Sequence, residues 1–244
     1  MLNAIYPDPG SDGAVLSVQV GPVAPLGPEE VPSGFVKSPM HGPVAVGRLG
    51  LVGDAQADLT VHGGPDKAVY CYPVEHYAAW RAELPEHAAV LQPGGFGENL
   101  TTSGLNEDSV CIGDIVRIGS ALLQVTQFRQ PCFKLALRFA DNRLPKAMLR
   151  SGRSGWYASV LEEGTIAAGD RIVLVQRPNP AWPVSRLLAL LTRRSAALEE
   201  MVELANMPGL AANWRATARA AVERAALQQL APTGAGGAAV GLLS

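Results

Sequence analysis

The sequence predicts a mainly β fold: a barrel-like β-domain with a few helices, followed by a small all-α module of three helices. Three observations predict it. Short apolar strands recur between Gly and Asp turns, and Gly113-Asp114 and Gly169-Asp170 each open one. Such repetition is expected of a closed or nearly closed barrel. The strand pattern stops at Arg177-Pro178-Asn179-Pro180-Ala181-Trp182-Pro183, a breaker-rich boundary, and beyond it apolar residues recur at helical spacing. The expected division is a β-domain at 1–177, a three-helix module at 178–231 and a Gly/Ala-rich tail at 232–244.

Ala14 to Val20 alternates and is rich in β-branched residues, the mark of a first strand. Gly21, Pro22, Pro25, Gly27, Pro28, Pro32 and Gly34 follow, so a surface loop or hairpin rim is expected there. Val44 to Leu49 reads as a strand ended by Gly50, and Ala68 to Tyr72 as a short one. A helix opened by proline is expected over Pro73 to Glu83. It sets His76 and Trp80 on one face, His76 as a packing or capping residue. Ile115 to Ile118 and Ala121 to Thr126 are strands, Lys134 to Phe139 and Asp141 to Arg150 are helical, and Arg171 to Val175 is the last strand. Trp156 and Tyr157 between them are core or rim aromatics.

In the C-terminal module Val184, Leu187, Leu188 and Leu191 fit one helical face. Ser195 is a candidate N-cap for a second helix. Its stripe is Leu198, Met201, Val202 and Ala205, and Met207-Pro208-Gly209 ends it. The third helix spans Ala211 to Leu230, with Trp214, Ala218, Ala221, Val222 and Ala225 on one side.

Composition narrows the function classes. The chain has 244 residues, is 48% hydrophobic and carries a net charge of −2. That balance gives no electrostatic footprint for a nucleic-acid polymer. No apolar run reaches the roughly 18 residues of a membrane span, and Met1 to Gly13 lacks the pattern of a secretory signal. Cys71, Cys111 and Cys132 are three in number and widely spaced, which speaks against a disulfide framework or a zinc finger. A reducing cytoplasm is the expected compartment.

Three stretches stand out from the strand-and-turn background. In Gln127-Phe128-Arg129-Gln130-Pro131-Cys132-Phe133-Lys134 the cysteine sits where a strand ends and the chain turns. Arg129 and Lys134 flank it, and cationic neighbours favour thiolate, the form that binds soft metals or attacks electrophiles. A buried structural cysteine is the other reading. In Val61-His62-Gly63-Gly64-Pro65-Asp66-Lys67 the paired glycines form either an anion-holding nest helped by Lys67 or a plain turn. In Gly94-Gly95-Phe96-Gly97-Glu98-Asn99-Leu100 a carboxylate and an amide ride on a tight loop. They either aim at a ligand or bond the loop's own backbone.

These stretches, in this order and with Lys37-Ser38 and Leu51-Val52-Gly53-Asp54 before them, resemble the MOSC family, named for the C-terminal part of molybdenum cofactor sulfurases. The helical module after Pro183 makes the resemblance strongest to the YiiM-type members. The likeness runs from about Val18 to Leu230.

The resemblance implies a molybdenum cofactor (molybdopterin with Mo) and Cys132 as the protein's ligand to the metal. It implies reduction of N-hydroxylated compounds, such as hydroxylaminopurine-type base analogues. The alternative is a sulfur or cofactor carrier that uses Cys132 as acceptor. Lys37, Gly63, Gly64, Lys67, Asn99, Arg129 and Lys134 are the expected cofactor contacts, and His62, Asp66 and Glu98 are candidate proton relays beside Cys132. The expected partners are a small N-hydroxylated substrate and a separate electron-donor reductase, with no nucleic-acid polymer and no membrane. A homodimer is allowed.

Overall fold

The computed structural model describes residues 13–58, 62–193 and 196–230. Val61, Ser195 and the tail at 232–244, all singled out in the sequence, lie outside the described residues. Thirteen strands and six α-helices occur within them.

Seven strands close into a barrel. They are β1 (Gly13–Val20), β7 (Val69–Pro73), β8 (Leu100–Ser103), β9 (Ile115–Ile118), β10 (Ala121–Phe128), β11 (Trp156–Glu162) and β13 (Arg171–Gln176). Going round, the order is β13-β9-β10-β11-β7-β8-β1, and β1 pairs β13 to complete the ring. Every neighbouring pair is antiparallel except β7 and β8, where Cys71 faces Leu100 in a parallel register. Closure removes the free edges that an open sheet would expose. Alternate residues point inward, as the pleat requires. Val15, Ile118, Leu123, Val125, Trp156, Ala158 and Ile172 fill the centre.

Between β1 and β7 lie five short strands that sequence alone resolved poorly. The breaker-rich stretch holds a small hairpin of β2 (Ala24–Leu26) and β3 (Val31–Ser33). The pair β4 (Ser38–Pro39) extends the sheet alongside β1. Strands β5 (Val44–Gly47), β6 (Gly50–Leu51) and β12 (Gly164–Ile166) form a separate three-stranded patch.

Outside the barrel, α1 (Glu75–Glu83), α2 (Phe133–Phe139) and α3 (Leu144–Ser151) enclose a second core. Phe96 is its hub, with ring centroids 4.6 Å from Tyr72, 5.5 Å from Tyr77, 5.8 Å from Trp80 and 5.4 Å from Phe139. Two expected helices start later than the sequence suggests. Pro73 closes β7 rather than opening α1. Asp141 accepts from the Arg143 N–H ahead of α3 instead of lying within it.

The C-terminal helices are α4 (Val184–Arg193), α5 (Leu198–Asn206) and α6 (Ala212–Leu230). The N-cap of α5 is Ala197, and its N–H bonds the Glu200 carboxylate. The breaker-rich boundary is anchored to the barrel. Arg177 is ion-paired to Asp114 at 2.6 Å, and Asn179 donates to the Ile112 carbonyl. Val184, Leu187, Met201, Leu204 and Trp214 join the same buried cluster as the barrel interior.

The junction is made at a bulge. Val125 faces Ala158 and Gln127 faces Tyr157, so Thr126 is the extra residue in β10. A bulge takes its residue out of the ladder. The freed Thr126 carbonyl accepts the Ala211 N–H at 3.1 Å. The side chain works too: its hydroxyl donates to the Asp66 carbonyl at 2.6 Å.

Candidate functional site

Strand β10 delivers the cysteine. Phe128 ends the strand inside the core, Arg129 follows it into a buried position, and Gln130-Pro131 turns the chain. Cys132 is then the N-cap of α2 in an extended conformation, with φ −116° and ψ 173°. The residue borders two spaces at once. One is an inner cavity of about 90 Å³ and the other an outer cleft of about 720 Å³. His62, Gly63, Lys67, Cys132 and Tyr157 border both.

Electrostatics at Cys132 favour the anion. Burial pushes its thiol up, but a hydrogen bond from His62, the Arg129 guanidinium and the Lys134 backbone N–H outweigh it and bring it down to about 7. At neutral pH a large share of the sulfur is therefore thiolate. The other two cysteines differ. Cys71 is buried in the barrel and held up at about 12 by desolvation, and Cys111 is buried behind Pro180.

The inner cavity is cationic. Lys37, Lys67, Arg129 and Lys134 line it against one carboxylate, Asp54. Arg129 is only 5% exposed. Its guanidinium lies 5.3 Å from the Phe35 ring and 5.4 Å from the Tyr70 ring, with one nitrogen 3.5 Å from the Met148 sulfur. No carboxylate among the described residues pairs with it. A buried guanidinium whose neighbours are π faces, the Tyr157 phenol, the Met148 sulfur and the Cys132 thiolate is open to an anionic ligand.

The other cations are more committed. Lys37 is ion-paired to Asp54. Burial draws the Lys37 ammonium down, and the Asp54 charge partly restores it. Lys134 is buried and donates to the Pro32 carbonyl at 3.0 Å. Lys67 is half-buried, and burial lowers it against the charges of Asp66 and Cys132.

The glycine pair adopts the shape that a close backbone approach needs. Gly63 and Gly64 have φ of 92° and 81°, a region in which side chains are strained. His62 precedes them, and its buried Nδ1 has no hydrogen-bond partner among the described residues.

Two expected relay residues are engaged elsewhere. Glu98 is fully buried and borders neither space. It accepts from the Tyr77 hydroxyl at 2.6 Å, the Gly94 N–H at 2.7 Å, the Thr101 hydroxyl at 2.8 Å and the Phe96 N–H at 3.2 Å. It is the pin of its own loop, which was the second of the two readings left open by the sequence. Asp66 borders the outer cleft only, and its carboxylate takes the Ala212 N–H at the start of α6. Asn99 lines the inner cavity and also ties strands together, donating to Asp54 at 2.9 Å and accepting from the Tyr70 N–H at 3.1 Å.

The structure therefore brings Cys132, His62, Gly63, Lys37, Lys67, Asn99, Arg129 and Lys134 together from loops distant in sequence. Sequence reasoning gave no role at the site to Asp54, Tyr70 or Tyr157. Asp54 had a visible signal, the polar Gly53-Asp54 turn, where Gly53 takes a φ of 91°. The tyrosines had none, because strand aromatics look alike until the barrel sets their side.

Comparison with known proteins bears on the fold and the family. Residues 58–173 match the model of the MOSC domain, and residues 182–225 match that of the YiiM-like, 3-alpha helix domain. The chain is 39% identical over 190 residues to Protein YiiM of Escherichia coli, covering 78% of this chain and 84% of that protein. It is also 39% identical over 199 residues to a protein of Gibberella moniliformis named "Reductase", covering 80% of this chain but only 35% of that longer protein. The crystal structure of YiiM from Geobacillus stearothermophilus superposes with a TM-score of 0.72 at 36% identity, over 86% of this chain and 99% of that one.

Proposed function

The chain belongs to the MOSC family and carries the YiiM-like helical domain, and from that premise we propose that it is a molybdenum-cofactor-dependent reductase of N-hydroxylated compounds with Cys132 as the metal's protein ligand. One observation carries the reading. A cysteine lowered to about 7 stands where a cationic inner cavity meets an open cleft. A soft thiolate is the ligand type that suits such a metal.

The residues fit the cofactor. It is anionic, and Arg129 is a buried cation with no carboxylate partner among the described residues. Arg129 and Lys67, with the backbone at Gly63-Gly64, would hold its phosphate. When bound, the cofactor would supply the two-electron chemistry at the N–O bond. The relative named "Reductase" supports this class of reaction.

The overall reaction is R–NH–OH + 2 e⁻ + 2 H⁺ → R–NH₂ + H₂O. The N–O bond breaks, and the oxygen leaves as water. The electrons come from a separate reductase protein. Of the three candidate relays, His62 is the one beside Cys132 with a ring nitrogen unpartnered among the described residues. It is assigned the proton delivery to the leaving oxygen, a role that needs a titratable group within reach. Substrate enters by the outer cleft, and its N–OH group reaches the sulfur side of the junction.

The test is turnover. Protein made in cells that synthesise the cofactor should convert an N-hydroxylated base analogue to its amine when a reductant is supplied. The Cys132→Ser protein should not. A sulfur adduct on Cys132, with no turnover, would favour the carrier reading instead.

A further inference from the structure

Asp66 is held twice, from two parts of the chain. Its backbone carbonyl accepts the Thr126 hydroxyl of β10 at 2.6 Å, and its carboxylate accepts the Ala212 N–H of α6 at 2.7 Å. The two anchors are joined to each other, because the Thr126 carbonyl takes the Ala211 N–H at 3.1 Å. Loop, bulge and helix start therefore close a triangle of hydrogen bonds. The next turn of α6 is locked to the same strand. The Trp214 indole donates to Gln127 Oε1 at 3.1 Å and packs on Phe128, ring centroids 5.4 Å apart.

The loop that this triangle grips has little to hold it from within. Asp66 lies in the 3-10 turn Pro65–Lys67, directly after His62-Gly63-Gly64. Glycine has no side chain to pack and the widest backbone freedom, and a Cβ at Gly64 would meet nothing within 4 Å. The position of the glycine pair is set from its flanks. On one side the His62 N–H bonds the Asp58 carbonyl at 2.9 Å. On the other stands the Asp66 triangle. His62 is the residue that hydrogen-bonds the Cys132 sulfur. The helical module lends no side chain to the inner cavity among the described residues, so its route to that sulfur runs through this loop.

We propose that Asp66 is a positioning residue: by clamping the glycine-pair loop to the start of α6 it holds the His62 imidazole against the Cys132 sulfur, and the helical module thereby sets the reactivity of a site built in the barrel. Asp66 acts through His62 and exchanges no proton itself. The proposal deepens the reductase reading and rests on it for the reaction served, but the clamp and its test concern only His62 and Cys132.

The test is the rate at which iodoacetamide alkylates Cys132 in the full-length, cofactor-free protein at pH 7. Cys71 and Cys111 are 2% and 3% exposed, so Cys132 is the cysteine that reacts. Asp66→Ala should slow alkylation about fivefold, as a fall in the thiolate share from about half to about a tenth would give. The sign is diagnostic. Removing a nearby anion would by itself favour thiolate and speed the reaction, and a general loosening of the cleft would speed it by exposing the sulfur. Asp66→Asn keeps an acceptor oxygen for the Ala212 N–H and should react at the wild-type rate or faster. Ala212→Pro removes the donor and leaves the Asp66 charge, at a helix position where proline is at home. It should slow alkylation as Asp66→Ala does, and it tests the clamp even if the alanine variant does not fold. Wild-type or faster alkylation in folded Asp66→Ala or Ala212→Pro overturns the proposal, as does an asparagine variant as slow as the alanine one. Slowed alkylation by these variants of a protein that reduces no N-hydroxyl compound would sink the reductase reading and leave the clamp standing.

Discussion

The carboxylate of Asp66 accepts the backbone N–H of Ala212 at 2.7 Å, across 146 residues of sequence. The first turn of a helix leaves N–H groups unpaired, and a carboxylate there is both acceptor and favourable charge. Asp66 therefore caps α6 from the loop that also bears His62, Gly63 and Lys67. The bulge at Thr126 adds a second tie, through the Ala211 N–H. The helical module and the glycine-pair loop are fastened to each other as well as to the barrel.

Asp66→Ala should remove the cap and lower stability by about 1 kcal/mol, the usual worth of such a contact. The melting temperature should fall by about 2–4 °C for a chain of this size. Thermal unfolding checks it. An unchanged midpoint would mean that the contact contributes nothing.

Alkylation by iodoacetamide should report the Cys132 thiolate. Its rate should rise with a midpoint of about 7, against the ordinary thiol value of 9.0. Arg129→Met removes a cation that favours the anion, so its midpoint should move up. The sign for folding follows. A folded-state value below the unfolded one means that this thiolate stabilises the protein fully above about pH 9, and that the contribution is lost as pH falls through about 7.

Lys37 and Asp54 form a pair with side chains 6% and 2% exposed. Lys37→Met should strand the Asp54 carboxylate and cost about 3–5 kcal/mol, the penalty for breaking a buried pair from one side. Adding Asp54→Asn should recover part of that loss, because the uncompensated charge is gone. Urea unfolding of the two variants measures it. No recovery in the double variant would show that the other Asp54 contacts, to the Gly21 N–H and Asn99, dominate.

Glu98→Ala should be among the most damaging single changes. It orphans two hydroxyls and two backbone N–H groups at once. A loss of about 3 kcal/mol or more is expected when a buried network is broken. Normal stability with lost turnover would instead return Glu98 to the proton-transfer role that its geometry denies it.

Much of this was legible in the sequence. The Gly-Asp turns and alternating strands declared the barrel, and the shift at Arg177 declared the helical module, because both depend on local pattern. The turn at Cys132 was legible, and Arg129 acts on it by charge as expected, but Lys134 acts through its backbone N–H rather than its ammonium, and His62, which hydrogen-bonds the sulfur, comes from another loop. What local pattern could not carry was long-range pairing. Nothing near Asp66 says that it caps a helix 146 residues later, and nothing near Glu98 says that Tyr77 and Thr101 will use its oxygens. Gln127 reads as an ordinary strand residue until Trp214 fixes its amide. The short elements β2 to β6 were blurred by their prolines and glycines, which mark breaks but do not say which pieces pair.

The most direct test of the account is molybdenum content per chain, measured by mass spectrometry of metals on freshly purified protein from cofactor-producing cells. The account predicts about one molybdenum per wild-type chain, as one thiolate serving one metal requires, and close to none in Cys132→Ser. Equal molybdenum in the two proteins, or none in the wild type, would contradict it.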